Sequence, residues 1–269
     1  MDKLTDKHYT SQRNTLNAVI ILLLALNHDE KYNDLIEEYQ KIRDKLNDKY
    51  VEDQQSGKIS DKQKNNFVEL KEIGSMIDTM AKEIKNLNLK KKETLTGKEK
   101  ELLMVYTIFS FLSTYPLRND LAGMKYISKT SYNQLTEDDK KEGNFLVKNK
   151  NKLSMILNEY KTSKKYGEKV IEIDPVISKI LRMYIKATDK KVGDVLFVSS
   201  RGTPISRNGI SQLLIKTSQK YLNKSISTTM MRKIVVSDKF GDLAKEQKEL
   251  AHVMGHDVGT QNLVYNKEA

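Results

Sequence analysis

Four short segments carry side chains that together suit the handling of a phosphate ester. Tyr115-Pro-Leu-Arg118-Asn-Asp-Leu121 sets an arginine just after an apolar helix. Thr229-Met-Met-Arg232 sets a second at a predicted helix start, and Lys161 heads a basic turn that runs to Gly167. Met254-Gly-His256 offers an imidazole, and Tyr265 follows that histidine nine residues later. Guanidiniums keep their charge and present a fork of donors that matches phosphate oxygens. Imidazole takes or shares a proton near neutral pH. A phenol relieved of its proton is a nucleophile. No cluster of carboxylates is evident, so metal-assisted phosphoryl transfer has no obvious ligands.

Taken singly, each residue has an ordinary explanation. A lone arginine is usually solvated or ion-paired. Lys161 has neighbours of the same type in Lys152, Lys164, Lys165 and Lys169, and a basic turn is normally just hydrated. Gly255 is a natural helix C-cap, which would leave His256 on the surface. His252 and His256 stand at i and i+4, the spacing of a zinc pair, but Gly255 breaks the helix between them and no third ligand is visible. Tyr265 is one of 13 tyrosines.

The conjunction is what matters. In order and spacing these positions resemble the catalytic domain of tyrosine recombinases, over roughly residues 96–269. The resemblance implies that Arg118 and Arg232 clamp a DNA phosphate and that Lys161 protonates the leaving 5′-oxygen. It further implies that His256 assists at the phosphate or takes the tyrosine proton, and that Tyr265 forms a 3′-phosphotyrosyl link. Thr260 lies in the loop between His256 and Tyr265, as in many members. The link conserves the phosphodiester energy, so no nucleotide and no metal cofactor is expected. Two departures stand out. Thr229 occupies the place of the family's first histidine in His-x-x-Arg, and Asp120 follows Arg118 by two positions where the family's acid follows by three. Both are more like divergent recombinases of viruses and mobile elements. The neighbouring possibilities are a type IB topoisomerase, built on the same constellation, and a catalytically inactive, recombinase-derived DNA-binding protein.

Composition agrees with a polyanionic partner. Among 269 residues, Lys and Arg number 47 and Asp and Glu 36, a surplus of 11 positive charges; such a field favours nucleic acid. The absence of cysteine excludes disulfides, thiolate catalysis and Cys-based zinc sites. The longest apolar run, Ala18 to Leu26, is about half of the ~20 residues a membrane span needs. It reads as a buried helix core, and neither a membrane nor a cleaved signal is expected. An intracellular protein, in a host cytoplasm or nucleus or carried in a virion, is the expectation.

The elements that must position these groups are mostly helical, as three prolines and 12 glycines in so long a chain suggest. Thr15–Leu26 and Asp34–Tyr50 read as helices, the second with Leu35, Ile42 and Leu46 on one face. Ser60 is a candidate cap for a helix carrying Phe67, Leu70, Ile73, Ile77, Met80 and Ile84. Asn86 to Glu93 reads as a linker, and Thr96-Gly-Lys-Glu99 as a capping box opening an apolar helix that Pro116 ends. Leu153–Tyr160 and Lys169–Ile173 read as a β-hairpin. Helices follow after Pro175, then at Asn208–Tyr221, Thr229–Phe240 and Lys245–Met254.

The expected architecture is a mostly α fold with a small antiparallel β-sheet (α+β). Residues 1–92 would form a helical DNA-binding domain and residues 96–269 the catalytic domain, closing on DNA through the basic stretch Lys90-Lys91-Lys92. Lys164, Lys165, Arg207 and Lys216 are further candidates for DNA contact. By the resemblance, four protomers act on two double-stranded DNA sites. Only Asn266 to Ala269 follow the tyrosine in this sequence. Assembly then relies on other surfaces, or the tyrosine segment is exchanged between protomers, or the chain is incomplete.

Overall fold

The structure is a computed structural model that describes residues 6–28, 30–55, 61–256 and 258–262. It divides into two compact units, one up to Lys64 and one from Asn65 onward.

The smaller unit is a helical hairpin of α1 (Tyr9–Leu26) and α2 (Asn33–Gln55), with a short turn α3 (Asp61–Lys64). Leu16 and Ile20 of α1 and Ile36 of α2 are buried. At the open end the Arg13 guanidinium stacks 4.0 Å from the Tyr50 ring and Tyr9 donates to Asp53. The buried-core reading of Ala18–Leu26 does not hold for most of the run. Ile21 is 67% exposed, and Leu22, Leu24 and Leu26 are exposed as well. A two-helix hairpin offers one partner, so it can cover one stripe of a helix that is apolar all round. Ser60, the candidate cap, lies outside the described residues.

The larger unit is built around α5 (Gly97–Thr114). Thr96 and Glu99 form the expected capping box, Thr96 Oγ1 accepting from the Glu99 N–H at 3.3 Å and Glu99 accepting from the Thr96 N–H at 2.8 Å. From Leu103 to Leu112 nearly every side chain of α5 is buried. Such all-round burial needs partners on every side, and α5 packs on α4 (Leu70–Asn86), α9 (Pro175–Ala187), α10 (Arg207–Leu222) and α11 (Thr228–Val253).

The linker expected at Asn86–Glu93 is instead a packed turn joining α4 to α5. Leu89 and Leu95 are inside the core they share, and Lys92 is ion-paired to Glu99 at 2.7 Å. The division of the chain therefore falls before α4 and not after it, because α4 buries Ile73, Met76, Met80 and Ile84 in the same core as α5.

A four-stranded sheet lies beside the helices in the order β1 (Lys125–Ser128), β2 (Asn144–Asn149), β3 (Lys152–Leu157), β4 (Lys169–Glu172). The hairpin is present as expected, β3 pairing antiparallel with β4 and Leu157 facing Lys169. The sheet is mixed and not purely antiparallel, since β1 runs parallel to β2. That parallel pair needs a crossover, and two short helices, α6 (Lys129–Asn133) and α7 (Glu137–Lys141), supply it. Leu146, Leu153, Met155 and Leu157 join the main core, while Ile127, Phe145, Val147 and Ile156 bury with Tyr132 in a smaller one.

Between β3 and β4 the loop holds one helical turn, α8 (Ser163–Tyr166). The chain ends, as far as it is described, with α12 (Val258–Thr260). The helices expected at Thr229–Phe240 and Lys245–Met254 are one continuous element, α11. Gly241 was the natural break, but inside a helix glycine costs only about 1 kcal/mol, which neighbouring turns can carry. Among the described residues no helix is long and apolar enough to cross a membrane.

Candidate active site

The segment that leaves α5 is anchored before it reaches Arg118. Tyr115 stacks on Phe111, receives the Asp174 N–H at 2.7 Å and donates to the Glu172 carbonyl at 3.3 Å. Leu121 and Met124 are buried on the far side. Between these anchors Arg118 is exposed, and Asp120 is turned inward with only 8% of its surface accessible.

Asp120 is the hub. Burial pushes its carboxyl above the ordinary carboxylate range. Arg207, a hydrogen bond to the Arg118 backbone, the Arg118 side chain and Arg232 all pull the other way. Three arginines from separate stretches of chain thus act electrostatically on one buried carboxyl: Arg118 after α5, Arg207 at the first turn of α10, and Arg232 in the second turn of α11. Each has a structural reason to be there. Ser206 caps α10 by accepting from the Gly209 N–H at 3.0 Å. Ser227 caps α11 by accepting from the Met230 N–H at 3.3 Å, and Met231, Ile234 and Val235 fix that end of the helix in the core.

Asn144, at the start of β2, ties this cluster to the hairpin. Its buried amide donates to the Asp120 carbonyl at 3.0 Å and to the Glu159 carbonyl at 2.9 Å. Its oxygen accepts from the N–H groups of Asn158 and Glu159, both at 3.0 Å. Glu159 then pairs with Arg207 at 2.9 Å. Three guanidiniums within electrostatic reach of one buried carboxyl, one of them held by Glu159, leave a positive surface of the kind that attracts an anion.

Lys161 emerges two residues beyond Glu159 and is exposed. Lys164 and Lys165 sit on α8, and Lys165 lies 5.1 Å from the Tyr166 ring. The loop is closed by Tyr160, which donates to the Gly167 carbonyl at 2.8 Å. Thr229 is exposed on the first turn of α11, one turn before Arg232. Lys90 and Lys91 are exposed beyond α4, Lys92 is held by Glu99, and Lys216 is paired with Glu101 at 2.8 Å.

His256 is not brought to this cluster. It follows the far end of α11, about 30 Å along the helix from Arg232 at 1.5 Å per residue. Gly255 takes a φ of +73°, and the His256 and Gly255 N–H groups return to the carbonyls of Ala251 and His252, both at 3.1 Å. That is a glycine C-cap of the Schellman kind. Tyr265 lies outside the described residues.

Sequence reasoning missed Asn144 and Glu159 and read Asp120 only as a displaced acid. The available signal was Asn144 at the head of Asn-Phe-Leu-Val147: a polar residue fused to a buried strand must find partners. Arg207 was read as a DNA contact, and the structure pairs it with Glu159 within electrostatic reach of Asp120.

No family model and no curated protein matches the chain. Among solved structures, the crystal structure of XerA recombinase is similar, with a TM-score of 0.42 and 12% identity over 98% of this chain and 80% of that one.

Proposed function

We propose that this chain is a site-specific DNA recombinase or integrase of the tyrosine recombinase kind. The Tyr265 hydroxyl gives its proton to His256 as its oxygen attacks a backbone phosphorus, a 3′-phosphotyrosyl bond forms, and the P–O bond to the 5′-oxygen breaks as that oxygen takes a proton from Lys161. Rejoining is the reverse attack by a 5′-hydroxyl. The observation that supports the reading is that Arg118 and Arg232, far apart in sequence, both act electrostatically on the buried Asp120. Arg207 adds a third guanidinium to the clamp. Double-stranded DNA is the proposed partner, with affinity that falls steeply as salt rises. A four-protomer synaptic complex, an origin in a virus or mobile element and action inside a host cell complete the proposal. In the proposed complex Lys90, Lys91, Lys164 and Lys165 hold flanking phosphates, and the helical hairpin of α1 and α2 grips the duplex.

The distance from Arg232 to His256 makes a demand on this mechanism. Either the distal half of α11 swings about Gly241, or the His256–Tyr265 segment serves the cluster of a neighbouring protomer. The same distance favours a second reading, a DNA-binding protein that retains the clamp without cutting.

A nicked suicide substrate carrying the target site tests both. The active enzyme leaves a covalent protein–DNA adduct that Tyr265→Phe abolishes. Arg118→Gln and Arg232→Gln each reduce adduct formation by about 10²–10³-fold, the effect of removing one transition-state donor. Mixing Tyr265→Phe with Arg232→Gln restores the adduct only if the tyrosine is donated between protomers. Tight binding with no adduct from the native chain would overturn the enzyme and leave the second reading.

A further inference from the structure

A cavity of about 430 Å³ opens between one face of α9 and the outer ends of β3 and β4. Pro175, Ser178, Lys179 and Arg182 line it from α9, at the i, i+3, i+4 and i+7 positions of a single helix face. Lys152, the first residue of β3, and Glu172, the last of β4, line it from the sheet. Lys152 and Leu157 bound β3, so the cavity and the Asp120 cluster lie at opposite ends of the hairpin, about 17 Å apart along the strand at 3.3 Å per residue.

The charges in this cavity are unspent. Among the described residues, none of Lys152, Lys179 and Arg182 makes an ion pair, and Glu172 pairs with none of them. The Arg182 guanidinium is partly buried, and its Nη2 is closed to solvent with no hydrogen-bond partner. A buried donor left without an acceptor costs about 1–3 kcal/mol, more when charged, so a turn of the Arg182 side chain that brings Nη2 to an anion in the cavity recovers that cost. Its volume falls within the range of small-ligand pockets, roughly 300–1,000 Å³. The Ser178 hydroxyl and the Asn151 carboxamide supply neutral partners, and Leu153, Ile173 and Pro175 make the apolar wall. Arginine fits a phosphate through two parallel N–H bonds, and the lysines add point charge at the rim.

We infer that this cavity binds a phosphate group, delivered by a free nucleotide-like ligand or by a DNA backbone that passes over it. The inference does not rest on the recombinase reading, because every residue in it lies outside the proposed reaction.

The test is calorimetric titration of the full chain with inorganic pyrophosphate at low salt, without DNA. One saturable site is expected. The double variant Lys152→Gln/Lys179→Gln, changed only at exposed positions, weakens binding on the order of tenfold, and Arg182→Gln weakens it further. Arg118→Gln leaves it unchanged. A parallel duplex-DNA binding curve separates the two sources. If the double lysine variant also weakens DNA binding, the phosphate comes from the backbone. If DNA binding holds while pyrophosphate binding falls, the ligand is free. No pyrophosphate binding by the native chain would overturn the inference. So would binding that Arg118→Gln removes and the double lysine variant spares, because the anion would then sit in the arginine cluster. Neither result touches the suicide-substrate assay.

Discussion

The two halves of α11 are one helix in two environments. In the proximal half Met230, Met231, Ile234 and Val235 are buried, and Arg232 on that packed base acts electrostatically on Asp120. In the distal half Val236, Phe240, Leu243, Leu250 and Met254 recur at helical spacing, yet all are exposed, and Val253 is 81% exposed. The distal part is the poorer in apolar residues, yet those it has, Ala251 apart, stay exposed, so whether another element lies alongside also decides burial. Helix continuity comes from backbone hydrogen bonds between neighbouring turns, and these do not depend on such a partner. The difference explains why Arg232 comes within electrostatic reach of Asp120 while His256, past the end of the helix, stands apart.

The largest expected effect breaks or upholds that contrast directly. Met231→Ala should cost about 2–5 kcal/mol in urea unfolding, the usual penalty for emptying a core site. Leu243→Ala should stay within about 0.5 kcal/mol, as exposed changes do. A comparable loss at Leu243 would mean that the distal half is packed in solution.

A smaller effect is expected at Gly241. Its φ is not positive, and a Cβ there meets nothing within 4 Å. In a continuous helix Gly241→Ala should therefore stabilise the protein by about 0.5–1 kcal/mol, read from the thermal midpoint. If catalysis needs a swing at this position, the same variant forms less suicide-substrate adduct despite its higher stability.

The smallest effect is electrostatic and belongs to the proximal half. The Asp120 carboxyl is raised by burial, so the folded chain holds a proton that the unfolded chain has already released. The contribution of this group to stability is greatest at low pH and is lost as pH climbs from the ordinary carboxylate value, about 3.9, through the raised one. Asp120→Asn should flatten that part of the profile in urea midpoints taken between about pH 3.5 and 6. An unchanged profile would mean that Asp120 is as hydrated as in the unfolded chain.

Much of the positioning was legible because it is local. Thr96 and Glu99 announce a helix start, Pro175 begins α9 behind the Asp174 cap, and the alternation around the basic turn yields β3 and β4. What was not legible depends on partners distant in sequence. β1 is four residues long and pairs parallel with β2 across two short helices, so neither length nor a tight turn advertises it. Leu89 and Leu95 sit in a stretch of lysines that reads as linker, and only the core of α4 and α5 reveals them as packing residues. Arg118 and Arg232 stood out by spacing, but the burial of the Asp120 carboxyl that both act on did not, because it is produced by groups the sequence scatters widely.

Asn144 carries a consequence for how the hairpin lysine can travel. A carboxamide has two protons and two lone pairs to offer, and here all four are taken, two by carbonyls and two by amides of the same strand exit. A carboxylate in its place lacks the protons, and an aliphatic side chain lacks everything. The tether thus makes Glu159 the last immovable residue before the loop. Any excursion of Lys161 must pivot between Tyr160 and Gly167, on a lever only a few residues long.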